Sequence, residues 1–162
     1  MTEAIRLIAT GGTIDEIGQD KDGKSIFSDS FVPEMLNQGR VTSAVVSEVL
    51  MLKDSRDVTD KDREAMLQRC VACPERRILI THGTFTMPDT ARYLGSRISN
   101  KTIVLTGAAM PFPKEKSDAH FNLGYAISAA QHLPSGVYVA MNGKVFNWDD
   151  VKKDLETGIF GP

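Results

Sequence analysis

Two segments of the chain place threonines beside glycines in an arrangement suited to nucleophilic chemistry. They are Thr10-Gly11-Gly12-Thr13 and Thr81-His82-Gly83-Thr84. Glycines let the backbone turn sharply and approach a ligand without interference from Cβ atoms. A threonine hydroxyl becomes a nucleophile when a neighbouring group takes its proton, and backbone amides can stabilise an oxyanion. The pattern predicts a site of hydroxyls and amides, although an ordinary turn after a strand would have a similar sequence.

Each of these segments follows an apolar run that predicts a buried strand, and two further polar segments do the same. Ser55 and Arg56 follow one such run, and Gly107 with Ala108 follow another. The predicted strands are 5–9, 45–52, 77–80 and 102–106. Because the carboxyl ends of parallel strands face one crevice, where ligands of doubly wound folds bind, we expect these segments to meet there. A crevice with few carboxylates suits an amino acid or a small amide better than a metal.

The elements between these strands predict an α/β fold. Helices are expected at 33–38, from about 60 to 73, from Thr86, and from about 118 to 133. Thr59 and Asp62 have the spacing of a capping box, and Thr86 with Asp89 have the same spacing. Strands alternating with helices imply three layers, a mostly parallel sheet with helices on both faces. Asn142-Gly143 predicts a C-terminal hairpin from strand 137–141 into strand 144–146.

Two stretches lack a core pattern. Residues 15–29 are polar and contain Gly18 and Gly23, which predicts a long loop. Loops of this length in compact domains often serve as lids, and disorder is the alternative. The tail 149–162 is charged and shows no apolar periodicity.

Composition limits the class of protein. The 162 residues suit one domain, 1–162, and the net charge of −2 argues against binding to nucleic acid or to an anionic membrane. No apolar run approaches the roughly 20 residues of a membrane helix, and Glu3 near the start argues against a secretory signal. Cys70 and Cys73 fit half-buried helical thiols, because nothing completes a zinc site around them. We expect a reducing, cytoplasmic compartment.

Taken together, the motifs resemble the signatures of the bacterial-type L-asparaginase/glutaminase family. The first match is Thr10-Gly11-Gly12-Thr13-Ile14, and the second is His82-Gly83-Thr84 with Thr86-Met87. Further matches, in the family's order, are Asp54-Ser55 with Asp57, Leu105-Thr106-Gly107-Ala108, Phe121-Asn122-Leu123 and Met141-Asn142-Gly143. The resemblance covers nearly the whole chain but only about the N-terminal half of a full-length member. It implies a short relative with a single asparaginase N-terminal-like domain.

The resemblance also implies roles for individual residues. Thr13 matches the family's nucleophile, Thr84 its second catalytic threonine, and Lys153 the lysine beside that threonine. Substrate binding is implied for Gly12, Ser55, Arg56, Gly83, Phe85 and Ala108. The implied reaction is hydrolysis of L-asparagine to aspartate and ammonia through an acyl-enzyme, with no cofactor and no metal. Structural alternatives are that Thr84 only caps a helix and that Lys153 is a solvated tail lysine.

Two departures from the family pattern leave a second hypothesis open. Phe85 stands where the family has an aspartate, and the first loop lacks the family's tyrosine. Asp15 and Asp57 are candidate replacement carboxylates, and His82 is expected to be structural. The alternatives are an asparaginase-like amidohydrolase and a catalytically impaired small-molecule binding or regulatory protein on the same scaffold. Because a second subunit completes the family's site, we also expect a homodimer or higher homo-oligomer.

Overall fold

A computed structural model describes residues 3–162, and its centre is a six-stranded sheet. In chain order the strands are β1 (Ile5–Gly11), β2 (Gly18–Gln19), β3 (Ser25–Ile26), β4 (Val45–Lys53), β5 (Arg77–Thr81), β6 (Thr102–Thr106), β7 (Gly136–Met141), β8 (Lys144–Asn147), β9 (Lys152–Lys153) and β10 (Phe160–Gly161). The helices are α1 (Val32–Gln38), α2 (Asp60–Ala72), α3 (Met87–Gly95) and α4 (Ala119–His132).

The main sheet has the order β4-β1-β5-β6-β7-β8. Its first five strands are parallel, and only β8 runs antiparallel, paired with β7 through the predicted hairpin. Asn142 and Gly143 have φ values of 56° and 70°, the left-handed backbone that a type I′ turn requires. The predicted α/β class, with its mostly parallel sheet and C-terminal hairpin, is confirmed.

One apolar core lies on each face of the sheet, which confirms the three layers. Ile78 and Ile80 of β5 face α2 and α3, whereas Leu79 faces α1 and α4. All of β6 is buried, as expected for a parallel strand covered on both faces. The cysteines Cys70 and Cys73 are fully buried in the first core and unpaired, so they are more buried than the sequence predicted.

The two predicted capping boxes have different outcomes. Thr59 accepts a hydrogen bond from the Asp62 amide, and the Asp62 carboxylate accepts one from the Thr59 amide, so the box that begins α2 is confirmed. The box predicted at Thr86 is wrong, because its side chain makes no capping bond. The Thr86 hydroxyl donates instead to the carbonyl oxygen of Ser55 at 2.7 Å. The Thr86 side chain therefore bonds to a residue that is distant in the sequence and not to the first turn of α3.

The region predicted as a long loop contains regular structure. A 3₁₀ turn covers Thr13–Asp15, and β2 pairs with β3 in a short hairpin. The Asp20 carboxylate closes this hairpin by accepting hydrogen bonds from the amides of Asp22 and Lys24. The sequence did not predict this hairpin, because its strands lack apolar alternation. Its turn is stabilised by a side chain instead.

The tail also departs from its prediction, because two of its apolar side chains join the core. Val151 and Phe160 are buried, and β9 pairs with β10. The Phe160 amide donates to the Asn142 side-chain oxygen at 3.0 Å. Trp148 packs directly over Gly95, where a Cβ would overlap the indole ring. These contacts fix the tail against the sheet edge and so determine where Lys153 lies.

Candidate active site

Four of the predicted strand ends meet, as the parallel topology requires. A Cβ at Gly12 would overlap the backbone of Gly83, and one at Gly107 would overlap the carbonyl oxygen of His82. A Cβ at Gly83 would lie 2.6 Å from the Cβ of Ser55. The turns after β1, β4, β5 and β6 are therefore packed so closely that only glycine fits at the contacts. The backbone amide of Gly12 donates to the carbonyl oxygen of Lys53 at 2.8 Å, which joins the turns after β1 and β4.

A hydrogen bond between Lys153 and Thr84 joins the tail to this crevice. The Nζ of Lys153 donates to the Oγ1 of Thr84 at 2.8 Å. Thr84 is 8% exposed and Lys153 is partly buried. Burial lowers the pKa of Lys153 below that of an ordinary lysine. This contact does not fit the hypothesis that Lys153 is a free, solvated tail lysine. That description fits its neighbour Lys152, which is exposed.

Ser55 is held rigidly at the end of β4. It is 2% exposed, and its Oγ accepts a hydrogen bond from the amide of Thr86 at 3.3 Å. Because Oγ accepts in this bond, its own proton is left to donate to a ligand. The Asp54 side chain caps the 3₁₀ turn Ser55–Asp57 by accepting from the Arg56 amide. Ser55 thus presents a hydroxyl beside the first residues of α3.

The remaining predicted site residues differ in exposure. Thr13 is partly buried at the start of its 3₁₀ turn, and Ala108 is 1% exposed. Phe85 is 48% exposed and directly follows Thr84. Arg56 is exposed, and its guanidinium is paired with the Asp54 carboxylate at 2.6 Å. That ion pair engages Arg56 with its neighbour on the surface.

Neither of the two candidate replacement carboxylates, Asp15 and Asp57, forms an ion pair with Lys153. Asp15 is fully buried, and its carboxylate accepts from the hydroxyl of Ser30 at 3.0 Å and from the amide of Phe31 at 2.8 Å. Burial raises its pKa to about 6. Asp57 is exposed and lines a surface depression with Asp22 on the β2–β3 hairpin.

A buried chain of hydrogen bonds supports the second glycine turn. The Nε of Arg63 donates to the Thr90 hydroxyl at 3.0 Å, and that hydroxyl lies 2.8 Å from the Nε2 of His82. The Nδ1 of His82 lies 2.7 Å from the carbonyl oxygen of Gly83. Complete burial lowers the pKa of His82 to about 4, so the ring is neutral and donates through Nδ1 while Nε2 accepts. This geometry fits the predicted structural role.

Three residues that support the site were not singled out by the sequence. Besides Arg63 and Thr90, the carboxylate of Asp118 holds the turn after β6, since it accepts from the amides of Ala109 and Met110 at 2.9 to 3.1 Å. The Asn122 side chain donates both to Asp118 and to the carbonyl oxygen of Gly107, each at 2.9 Å. The position of Asp118 just before α4 was the only local signal.

Neither a metal site nor a membrane span is found within residues 3–162. No group of three or more histidine, cysteine or acidic side chains is arranged to hold a metal ion there. No helix in this range is long and apolar enough to cross a membrane.

Comparison with known proteins identifies the family. The model of the asparaginase N-terminal domain matches residues 4–158, so the chain belongs to the asparaginase family. It is 30% identical over 167 residues to a probable periplasmic L-asparaginase of Haemophilus influenzae, a match that covers 96% of this chain and 47% of that protein. It is 31% identical to L-asparaginase 2 of Escherichia coli, with the same two coverages.

A solved structure shares the fold. L-asparaginase I of Vibrio cholerae superposes with a TM-score of 0.87 at 23% identity, and the match covers 99% of this chain and 51% of that one. The chain thus spans about half the length of the relatives that it matches.

Proposed function

We propose that this chain is an asparaginase-like amidohydrolase that hydrolyses the side-chain amide of L-asparagine or of a related small amide. The observation that carries the proposal is the 2.8 Å hydrogen bond between Lys153 and Thr84, beside the contact of Gly12 with Gly83. A lysine with a lowered pKa next to a buried hydroxyl is typical of sites that transfer protons. Membership of the asparaginase family supports the reaction class.

In the proposed mechanism Thr13 is the nucleophile. Its Oγ attacks the amide carbon, and the resulting oxyanion is stabilised by backbone amides of the glycine-rich turns. The C–N bond breaks, ammonia leaves with the proton from the hydroxyl, and an acyl ester remains on Thr13. Water then attacks this ester, which releases the carboxylic acid and restores the hydroxyl.

Thr84 and Lys153 would move the protons. Because burial lowers the pKa of Lys153, a larger fraction of its amine is neutral than for a solvated lysine, and a neutral amine can take the proton of Thr84. The Thr84 oxygen would in turn accept a proton from the nucleophile or from the attacking water. General acid–base catalysis of this kind contributes about 10²- to 10⁴-fold to a rate.

The other site residues would hold the substrate. The free proton of Ser55 suits a carboxylate oxygen. Backbone groups that contact the substrate would come from Gly12, Gly83 and Ala108. Phe85 would line the entrance to the crevice. We place Arg56 at the rim, since its guanidinium is engaged by Asp54.

We further propose that the functional unit is a single domain in a homo-oligomer, located in the cytoplasm. The resemblance supports the homo-oligomer, because a second subunit completes the site in the family. The free cysteines Cys70 and Cys73 are consistent with a reducing compartment. No step of the proposed mechanism requires a cofactor.

A binding or regulatory role on the same scaffold is the second candidate. Phe85 favours it, because an exposed phenyl ring beside Thr84 can neither accept a proton nor pair with Lys153. In such a protein the hydroxyls and amides of the crevice would hold a small molecule without turning it over.

Ammonia release distinguishes the two candidates. The purified chain would be assayed with L-asparagine, L-glutamine and simpler amides, beside Thr13→Ala. Thr42→Ala is the matched control, because Thr42 is exposed and lies before β4. The amidohydrolase predicts activity in the parent and in Thr42→Ala that is lost in Thr13→Ala. Binding without turnover of any amide would favour the second candidate.

A further inference from the structure

We propose that the site selects primary amides that carry a carboxylate and no ammonium group, and that Phe85 with the unpaired Lys153 sets this selectivity. The inference rests on the proposed function, since it names the substrate class of the same site. It follows from the charged groups near the crevice and from the exposed ring of Phe85.

The amine of Lys153 has no counter-ion when it is protonated. No carboxylate lies within 4 Å of its Nζ in the part of the chain that the structure describes. Eight ion pairs are found in that part, and none of them includes Lys153. Its pKa is lowered by burial, with no opposing charge nearby to raise it again. An ammonium group on a bound ligand would be repelled by the protonated amine, whereas a carboxylate on the ligand would be attracted toward it.

Four carboxylates near the crevice in sequence have donors of their own, and a fifth, Asp57, is exposed and lines a surface depression with Asp22 and Lys24 of the β2–β3 hairpin. Asp54 holds Arg56, and Asp118 accepts from the amides of Ala109 and Met110. Asp15 is bound to Ser30 and Phe31, and Glu16 accepts from the hydroxyl of Ser25 at 2.6 Å. These donors hold each of the first four carboxylates in its own turn, and none of the four forms an ion pair with Lys153.

Phe85 contributes apolar surface next to Thr84. Its ring is 48% exposed, so it can cover part of a bound ligand. An ammonium group placed against this ring near Lys153 would lose water and gain no counter-ion, which is costly in a partly buried site. A methylene group in the same place would lose no favourable hydration and would need no counter-ion. A carboxylate elsewhere on the ligand would find the hydroxyl of Ser55.

The substrate class is therefore the ω-monoamide of a dicarboxylic acid without an amino group. Succinamate is the simplest probe, since it is asparagine with the α-ammonium replaced by hydrogen. Hydrolysis breaks its C–N bond and forms a C–O bond from water, which gives succinate and ammonia. No oxidant or reductant is involved.

The experiment compares kcat/KM for succinamate and L-asparagine in the parent, in Phe85→Asp and in Phe85→Asn. We expect the parent to prefer succinamate by at least about 30-fold, which corresponds to about 2 kcal/mol. Phe85→Asp should reverse or abolish the preference because it introduces a counter-ion. Phe85→Asn, similar in size to aspartate and uncharged, should keep it. Because Phe85 is half-exposed, both variants should retain the thermal unfolding midpoint of the parent.

The outcomes separate this inference from the proposed function. If the parent hydrolyses L-asparagine as well as or better than succinamate, the function stands and the inference is overturned. If it hydrolyses neither, the function fails, and calorimetric binding of the same two compounds decides the inference. Tighter binding of succinamate would support it, while equal binding, preference for L-asparagine or no binding would overturn it.

Discussion

The Nζ of Lys153 meets the Oγ1 of Thr84 at 2.8 Å, across 69 residues of sequence. Thr84 follows the central strand β5, whereas Lys153 belongs to a tail held by buried Val151 and Phe160. A contact between groups so distant in the chain exists only when both segments are in place. It makes the tail part of the candidate site.

Removing the amine tests this contact. We predict that Lys153→Met lowers kcat for amide hydrolysis by about 100-fold or more, because the proton acceptor for Thr84 is lost. Lys152→Met is the control, since Lys152 is the exposed neighbour on the same strand. Steady-state ammonia release measures both. Equal activity of the two variants would contradict a role for Lys153 in the chemistry.

The two glycine turns should not tolerate a side chain where they touch. We predict that Gly12→Ala costs at least about 2 kcal/mol of stability, because its φ is 82° and the new Cβ would overlap the backbone of Gly83. Gly124→Ala is the matched control: Gly124 lies in α4 with open space around it, so it should gain about 1 kcal/mol. Urea unfolding measures both, and a neutral Gly12→Ala would contradict the packing described.

Buried Asp15 predicts a pH dependence of stability. Its pKa is raised from 3.8 to about 6, so the folded state binds the proton more tightly than the unfolded chain. That contribution is fully present below about pH 4 and is lost as the pH rises through about 6. The stability of Asp15→Asn relative to the parent should therefore increase by about 2 kcal/mol between pH 4 and pH 7, at 1.36 kcal/mol per pKa unit and with the unfolded carboxyl already partly ionised at pH 4.

Denaturant unfolding of both proteins at several pH values measures this difference. Asp22→Asn is the control, because it makes the same substitution at an aspartate that is exposed in the hairpin turn. A pH-independent difference for Asp15→Asn would show that the carboxyl is not held in the buried, proton-binding environment described here.

The chain from Arg63 through Thr90 to His82 should behave as one unit. We predict that Thr90→Val costs about 1–3 kcal/mol, since it leaves the Nε of Arg63 and the Nε2 of His82 without a buried partner. Thr90→Ser keeps the hydroxyl and should recover most of that stability. Unfolding by urea compares them; if the two variants were equally destabilised, the loss would come from packing of the methyl group and not from the hydrogen bonds.

The sequence predicted the features that depend on local pattern. It predicted the strands that carry the site, and it predicted the capping box at Thr59. Both follow from neighbouring residues, because apolar runs and capping spacings are local patterns. The positions of Gly12, Ser55 and Gly83 at one crevice followed from parallel topology. The family resemblance directed attention to Lys153, and the structure places it beside Thr84.

What the sequence missed depends on contacts between distant residues. Thr86 has the spacing of a capping residue, but its hydroxyl is taken by the carbonyl of Ser55. Val151 and Phe160 are too widely spaced to show periodicity, and each is buried by residues far away in the chain. The support of His82 by Arg63 and Thr90 spans three elements, so no local window could reveal it.

The most direct test of the account is to trap the covalent intermediate on Thr13. The parent would be mixed with succinamate, quenched in acid within a turnover, digested and examined by mass spectrometry, beside Thr13→Ala. We predict an acyl group on the peptide that contains Thr13, and neither that adduct nor ammonia release in Thr13→Ala. Ammonia release at the parental rate from Thr13→Ala, or an acyl group on another residue, would contradict the proposed mechanism.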